Sequence, residues 1–145
     1  RRYRRGCWTL FRHPRPVYTH TVDRRRALGQ AAEAAAAAFL ERSGCSVVAR
    51  NVRLPAGEID LVCRHGDRWI FVEVKCRHAR WGEAPSAAVS WQKRRRLVRL
   101  AEHYLKWRGL ESAPCRFDVV TVTVADDGTS QVRHIPAAFD ASGLI

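Results

Sequence analysis

Residues 57–76 read GEIDLVCRHGDRWIFVEVKC, two apolar runs rich in β-branched residues on either side of the polar tripeptide His65-Gly66-Asp67. Apolar runs of this length, separated by a short turn that contains glycine, are typical of a β-hairpin. The pattern therefore predicts strands over Glu58–Arg64 and Trp69–Cys76. Both runs are apolar on both faces, which indicates strands at the centre of a sheet.

Further elements lie on both sides of this hairpin. An alanine-rich stretch from Asp23 to Leu40 has a high helix propensity and stops at Ser43-Gly44, and Ser46–Asn51 is typical of a strand. A second, amphipathic helix is predicted from about Pro85 by an apolar stripe at helical spacing, and two strands follow it. The stripe consists of Leu97, Leu100, Ala101, Tyr104 and Leu105, and the strands cover Phe117–Val124 and Gln131–Ile135. The order α-β-β-β-α-β-β predicts an α/β fold with a mixed central sheet flanked by helices.

Length and composition exclude several classes of protein. A chain of 145 residues with 46% hydrophobic residues is large enough for one core and too small for two. The five cysteines include no Cys-x-x-Cys pair, so neither a disulfide framework nor a zinc ribbon is indicated. No apolar run approaches the roughly 18 residues of a membrane span, and no signal peptide is recognisable. We expect a reduced, cytoplasmic protein without a membrane partner.

The net charge of +12 favours a polyanionic partner, and nucleic acid is the commonest one. Residues 1–26 contribute +8 through nine arginines and one acid, Asp23; the segment from Lys75 to Arg108 contributes another +8, and the remainder sums to −4. We expect a mobile basic arm over residues 1–22 and a single domain over residues 23–145. The arm is either a nucleic-acid contact or a disordered, arginine-rich extension.

Ionisable residues interrupt both strands of the hairpin. Alternation places Glu73 and Lys75 on one face of their strand, and Asp60 on the neighbouring strand can point to the same side. Buried charges cost several kcal/mol unless they are paired or bound to a metal. A structural interpretation is a buried ion pair of Lys75 with Asp60 or Glu73, or an edge strand whose polar face meets water. However, Asp60 precedes Glu73 by 13 positions, and a hairpin of this length returns the chain to the same height, so both carboxylates can converge on one cation.

Such a pair of carboxylates suits phosphodiester hydrolysis. Oxygen ligands from two strands can hold Mg²⁺ or Mn²⁺ and leave water on the metal, which lowers the pKa of that water. Lys75 beside them can orient or help to deprotonate the nucleophile and offset negative charge in the transition state.

These residues also carry a family resemblance. The segments Gly57–Leu61 and Phe71–Arg77 resemble the signature of the YraN family, uncharacterised bacterial proteins that are predicted to be endonucleases. Further matches are Gly29-Gln30-x-x-Glu33, Arg50-Asn51, Lys93, Arg116-Phe117-Asp118 and Ala138-Phe139. The resemblance implies a restriction-endonuclease-like core of the PD-(D/E)XK superfamily, related to Holliday junction resolvases. It places Asp60, Glu73 and Lys75 at the metal-binding and catalytic positions and adds Glu33 as a further metal ligand; the alternative for Glu33 is an ordinary solvated helix residue.

Other charged and aromatic residues have structural or binding roles to choose between. Glu58 is either an acid behind the metal ligands or a charge at the strand edge, and Asp118 is expected to form a structural ion pair with Arg116. Trp81 and Trp91 either stack on unpaired bases or close a core. The residues predicted to contact nucleic acid are Arg77, Lys93, Arg94, Arg96 and Arg99.

Together these patterns predict a divalent-metal-dependent endonuclease that acts on DNA, with branched or otherwise structured DNA as a candidate substrate. The alternative is a non-catalytic nucleic-acid-binding or repair-associated module that keeps the fold. A homodimer would suit the symmetry of a four-way junction.

Overall fold

A computed structural model describes residues 17–81 and 88–143. The two α-helices are α1 (Val17–Arg42) and α2 (Trp91–Trp107), and a short 3₁₀ turn covers Ala79–Trp81. The five strands are β1 (Ser46–Leu54), β2 (Gly57–His65), β3 (Arg68–His78), β4 (Cys115–Val124) and β5 (Ser130–Phe139).

The strands form one mixed sheet in the order β1-β2-β3-β4-β5. Neighbouring strands are antiparallel except for β3 and β4, which run parallel because α2 lies between them in the chain. The predicted hairpin is β2–β3, paired from Leu61–Val72 to His65–Arg68. The predicted α/β class and element order are confirmed.

Helix α1 covers one face of the sheet with small side chains. Ala32, Ala36, Ala37 and Leu40 are fully buried in a core that includes Leu61, Cys63, Ile70, Val72, Val120 and Val122. Alanines along the contact stripe let the helix axis come close to the strands. The helix ends in a Schellman motif, in which Gly44 (φ 94°) and Cys45 donate backbone hydrogen bonds to Glu41 and Leu40. The predicted stop at Ser43-Gly44 is therefore confirmed.

Helix α2 covers the opposite face. Its first turn is capped by Ser90, whose hydroxyl accepts a hydrogen bond from the backbone N–H of Lys93 at 3.2 Å. All five residues of the predicted stripe are buried, and they pack with Ile59, Val62, Trp69, Phe71 and Phe117 of the sheet. The sheet therefore lies between two helical layers, as its doubly apolar central strands require.

Two helix boundaries differ from the sequence prediction. Helix α1 begins at Val17 rather than Asp23, inside the predicted basic arm, while residues 1–16 of that arm lie outside the described residues. Helix α2 begins at Trp91, and the predicted start near Pro85 also lies outside the described residues. Within the parts of the chain that the structure describes, neither helix has the length and apolar character needed to cross a membrane.

Candidate active site

Strand β2 is irregular at Asp60. Ile59 and Val62 both pack into the core beneath α2, whereas Leu61 between them packs beneath α1. Residues three apart in a regular strand face opposite sides of the sheet, so the strand must twist between these two positions. The paired strand β1 is also distorted here, because Asn51 has a φ of 49°. Asp60 is therefore half-buried between the fully buried side chains of Ile59 and Leu61.

The backbone pairing of β2 with β3 ends at the same place, and we call this point of the hairpin the fork. The ladder ends at the pair Leu61–Val72, and continuation of that register would set Asp60 opposite Glu73. Instead, the Asp60 Oδ2 atom accepts a hydrogen bond from the backbone N–H of Val74 at 2.8 Å. A side-chain oxygen thus takes the place of a backbone acceptor, and both carboxylates lie at the fork.

A cleft of about 230 Å³ lies between this fork and α2, and we call it the acid cleft. The residues that line it are Glu58, Asp60, Glu73, Lys93, Arg96, Leu97 and Leu100. The structure therefore brings the predicted pair Asp60 and Glu73 together under the basic helix. Glu58 joins them, as its position two residues before Asp60 indicated.

Three acidic side chains, Glu58, Asp60 and Glu73, lie close together in the acid cleft. Burial and the negative charge of Glu73 raise the pKa of Asp60 to about 7, with further increases from Glu33 and Glu58, although the Val74 N–H bond opposes the shift. Crowded carboxylates of this kind favour a bound cation, because a cation stabilises the ionised form. The Asp60 and Glu73 oxygens are the hard donors that Mg²⁺ and Mn²⁺ take from proteins.

A cation of the chain itself already contacts one of these carboxylates. The Lys93 ammonium lies 2.9 Å from Glu73 Oε1, and the Glu73 side chain is only 19% exposed. The ion pair joins the first turn of α2 to β3 and closes one side of the acid cleft. A divalent ion that bound both carboxylates would compete with Lys93 for Glu73.

The other two predicted catalytic residues, Glu33 and Lys75, do not line the acid cleft. Glu33 projects from α1 into an adjoining cleft of about 380 Å³, and Glu58 lines both clefts. Lys75, two positions beyond Glu73 on β3, donates a hydrogen bond from Nζ to the carbonyl of Ala88, just before α2. It is half-buried and is not among the residues that line the acid cleft.

The described residues contain no group of three or more His, Cys, Asp or Glu side chains arranged to hold a metal ion. The pair Asp60 and Glu73 can supply two ligands, with water completing the coordination as it commonly does for Mg²⁺. Glu33 lines a different cleft from Asp60, but its negative charge contributes to the raised pKa of Asp60.

The predicted nucleic-acid contacts fall into two groups. Lys93 and Arg96 line the acid cleft, and Arg99 is exposed one turn further along α2. Arg94 instead packs against the protein, with Nε donating to the Val89 carbonyl at 2.8 Å and the guanidinium 5.6 Å from the Phe139 ring centroid. Arg77 is half-buried at the end of β3.

Two tryptophans near the site, Trp81 and Trp91, were predicted either to stack on bases or to close a core. Trp91 is 53% exposed, and the Arg95 guanidinium lies 5.2 Å from its ring centroid. The side chain of Trp81 lies outside the described residues.

The expected ion pair of Asp118 is present and belongs to a buried network. Asp118 is fully buried and accepts two hydrogen bonds of 2.8 Å from Arg116, one of 3.0 Å from the Ala137 N–H, and a 2.7 Å contact with His134 Nε2. Burial alone would raise the pKa of Asp118, but these hydrogen bonds outweigh it and the pKa is lowered. The network ties β4 to β5, on the far side of the sheet order from β1 and β2.

Two features of the site escaped the sequence analysis. The ion pair between Lys93 and Glu73 spans 20 residues, and no local pattern indicates it. Trp107, the last residue of α2, is 73% exposed. Trp107 lies on the same edge of α2 as Lys93 and Arg96, and the spacing of these residues along the helix could have indicated this.

Comparison with known proteins assigns the chain to a family. Residues 32–122 match the model of UPF0102, described as an uncharacterised protein family. A UPF0102 protein of Symbiobacterium thermophilum is 50% identical over 116 residues, 80% of this chain and 98% of that protein. A UPF0102 protein of Moorella thermoacetica is 49% identical over 120 residues, 82% of this chain and 99% of that protein.

Among solved structures, the chain shows a distant likeness to Pyrococcus furiosus SfsA in complex with Ca²⁺. The likeness has a TM-score of 0.33 and 18% identity, and it covers 64% of this chain and 55% of that chain. The sequence matches confirm the predicted YraN-family membership, and the chain belongs to the uncharacterised protein family UPF0102.

Proposed function

We propose that this protein is a divalent-metal-dependent endonuclease that hydrolyses phosphodiester bonds in DNA. The observation that carries the proposal is the convergence of Asp60 and Glu73 in a cleft whose opposite wall, on α2, holds Lys93 and Arg96. Carboxylates that share a cleft with cations suit a phosphate group bound through a metal ion.

The acidic residues would hold Mg²⁺ or Mn²⁺. The Asp60 and Glu73 carboxylates supply two oxygen ligands, and Glu33 and Glu58 add negative charge that strengthens the attraction for a cation. The bound metal would supply a water of lowered pKa and would polarise a phosphoryl oxygen. The Val74 N–H fixes the orientation of the Asp60 carboxylate, so a ligand oxygen is already in place before metal binds.

The basic residues would bind and orient the substrate. If a divalent cation took the place of its ammonium on Glu73, Lys93 would be able to contact a phosphate oxygen at the mouth of the acid cleft. Arg96 lines the same cleft and offers a planar guanidinium for a second phosphate oxygen. Lys75 would approach the attacking water from β3 and offset the negative charge that develops in the transition state.

The test compares cleavage of labelled linear, flapped and four-way DNA in Mg²⁺ and in Mn²⁺. Glu73→Gln and Lys75→Ala should each lower the cleavage rate by about a hundredfold or more, the scale for a lost charge-stabilising group. The matched control is Glu111→Gln, which changes an exposed acid that follows α2 and lies outside the acid cleft, and it should leave the rate unchanged.

Two results would reject the catalytic role. Equal cleavage by the wild type and both site variants would place the activity elsewhere. Absence of cleavage by the wild type with every metal, together with salt-sensitive DNA binding, would favour the non-catalytic binding module instead.

A further inference from the structure

One edge of α2 connects the acid cleft to an exposed tryptophan. Lys93, Arg96, Leu100, His103 and Trp107 follow one another at intervals of three and four residues, and such residues lie along one side of a helix. The first three line the acid cleft, and the last two line a groove of about 580 Å³ near the end of the helix, which we call the end groove.

A third concavity shares a lining residue with each of these two, and Trp91 is among its other residues. This middle groove, of about 250 Å³, shares Arg96 with the acid cleft and Arg99 with the end groove. The three concavities are therefore linked through shared arginines into one path, which we call the α2 track.

Trp107 stands out among the aromatic residues of the track. It is 73% exposed, although a tryptophan side chain gains more from burial than most others. The other residues of the end groove are Arg99, Glu102, His103 and Lys106. An open indole ring in a groove with Arg99 and Lys106, and with Glu102 as its one acid, matches the requirements of a single nucleic-acid strand, whose bases stack on aromatic rings while its phosphates contact cations.

The charge of this face disfavours a second copy of the chain as the occupant. The exposed surface of α2 carries Lys93, Arg96, Arg99 and Lys106, opposed only by Glu102 among its exposed side chains. Two such faces in a symmetric contact would place like charges together, whereas a phosphate backbone is complementary to them.

We propose that the α2 track binds a single nucleic-acid strand that leaves the acid cleft and that Trp107 stacks on a base at the far end. The inference rests on the proposed nuclease function only in placing the scissile bond at the acid cleft. Fourteen residues separate Lys93 from Trp107, which corresponds to about 21 Å along the helix. A stacked strand advances about 3.4 Å per nucleotide, so the track accommodates about six nucleotides. The substrate class is therefore a duplex with an unpaired tail of at least that length.

The experiment measures binding of the full chain to fluorescein-labelled hairpin duplexes by fluorescence anisotropy. The hairpins are blunt or carry oligo(dT) tails of about three or about ten nucleotides at either end, shorter and longer than the track. EDTA removes divalent metal, so the DNA is not cleaved during the binding measurement. The salt concentration is held at about 0.15 M to limit non-specific contacts. Trp107→Ala should weaken binding of the long tail about five- to hundredfold, as expected for one lost stacking contact.

Three comparisons make this result specific. The blunt and short-tailed hairpins should bind Trp107→Ala as they bind the wild type, because they do not reach the end groove. Trp107→Phe should keep most of the affinity for the long tail, since it retains a ring. The control is Val48→Ala: Val48 is an exposed apolar residue of β1 that lines none of the three concavities, so its loss should leave the affinity for the long tail unchanged.

Equal affinity of Trp107→Ala and the wild type for the long tail would overturn the proposal. It would equally be overturned if the free protein forms a dimer in sedimentation velocity and Trp107→Ala abolishes that dimer, because the ring would then dock a second copy. These outcomes can be distinguished from those of the nuclease assay. If the wild type fails to cleave DNA but the Trp107 effect persists, the nuclease function fails and the strand-binding track remains.

Discussion

Asp60 shows how one carboxylate can make stability depend on pH. Its pKa is raised to about 7 in the folded chain by burial and by Glu73, against an ordinary value of 3.8. Between these two values the folded state holds the proton more tightly than the unfolded state does. Stability from this group is therefore present below pH 4 and is lost as the pH rises through about 7.

The first prediction follows for the metal-free protein. In EDTA, Asp60→Asn should be more stable than the wild type at pH 8, by about 1–3 kcal/mol, because it removes an ionised group that the fold disfavours. At pH 4 this advantage should vanish. The measurement is urea unfolding across this pH range, with Asp67→Asn in the exposed β2–β3 turn as the control. A pH-independent difference between Asp60→Asn and the wild type would contradict the prediction.

The second prediction concerns added metal. Excess Mg²⁺ or Mn²⁺ should raise the melting temperature of the wild type at pH 8 and should raise it less at pH 6, because Asp60 must lose its proton to bind. Asp60→Asn and Glu73→Gln should show little metal-induced shift. Thermal unfolding with and without metal gives the comparison independently of cleavage. A shift in the wild type that both variants retain would place the metal elsewhere.

The third prediction concerns Asp118, whose pKa is lowered whereas that of Asp60 is raised. Its hydrogen bonds to Arg116, His134 and the Ala137 N–H lower its pKa, so its contribution to stability is present above about pH 4 and is lost in acid. Asp118→Ala should destabilise the protein by about 3–5 kcal/mol at pH 7, because it leaves the Arg116 charge without its partner. Chemical denaturation measures this loss, and Asp127→Ala in the exposed β4–β5 turn should cost much less.

At the scale of elements, the sequence predicted what local patterns control. The apolar stripe of α2, the Ser43-Gly44 stop of α1 and the β2–β3 hairpin all follow from spacing, propensity and turn chemistry, and all are present. The spacing of Asp60 and Glu73 across that hairpin also predicted their proximity.

Other parts of the site depend on contacts that no local pattern encodes. The irregularity at Asp60 arises where β1 and β2 distort together, and the Lys93–Glu73 ion pair depends on how α2 crosses the sheet. Periodicity predicted which face of α2 is buried, but Trp107 is apolar and lies at the margin of that face. Only the packed structure shows that its ring is open to solvent.

The fourth prediction compares two glycines in different elements. Gly57, at the start of β2, has a φ of 149°, and a Cβ there would lie 3.4 Å from Arg96 Cδ and 3.5 Å from Leu100 Cδ1. These are ordinary van der Waals distances, so the cost comes from the backbone: Gly57→Ala should destabilise the protein by about 1–2 kcal/mol because alanine rarely adopts this φ. Gly29 lies within α1, where a Cβ would meet nothing within 4 Å. Gly29→Ala should instead stabilise by about 0.5–1 kcal/mol, since alanine favours the helix. Equal effects in urea unfolding would contradict this contrast.

At the scale of the whole molecule, the charge of +12 divides between two places with different expected roles. Residues 1–16 hold six arginines and no acid, so half of the net charge precedes α1. Two basic residues of α2, Lys93 and Arg96, line the acid cleft with the Glu58, Asp60 and Glu73 carboxylates. Long-range attraction to DNA depends on the total charge, whereas cleavage at saturating DNA depends on the groups at the acid cleft.

The last prediction separates these two contributions. Deletion of residues 1–16 leaves α1 intact from Val17 and lowers the net charge from +12 to +6. The slope of log Kd against log salt should become shallower by up to about five, because each lost phosphate contact removes about 0.9 from that slope. The cleavage rate at saturating DNA should stay unchanged. A variant with the six arginines replaced by glutamine keeps the length of the chain and should behave like the deletion. If both variants lose cleavage at saturating DNA, the arginines of residues 1–16 take part in the reaction itself; if only the deletion does, chain length rather than charge is required.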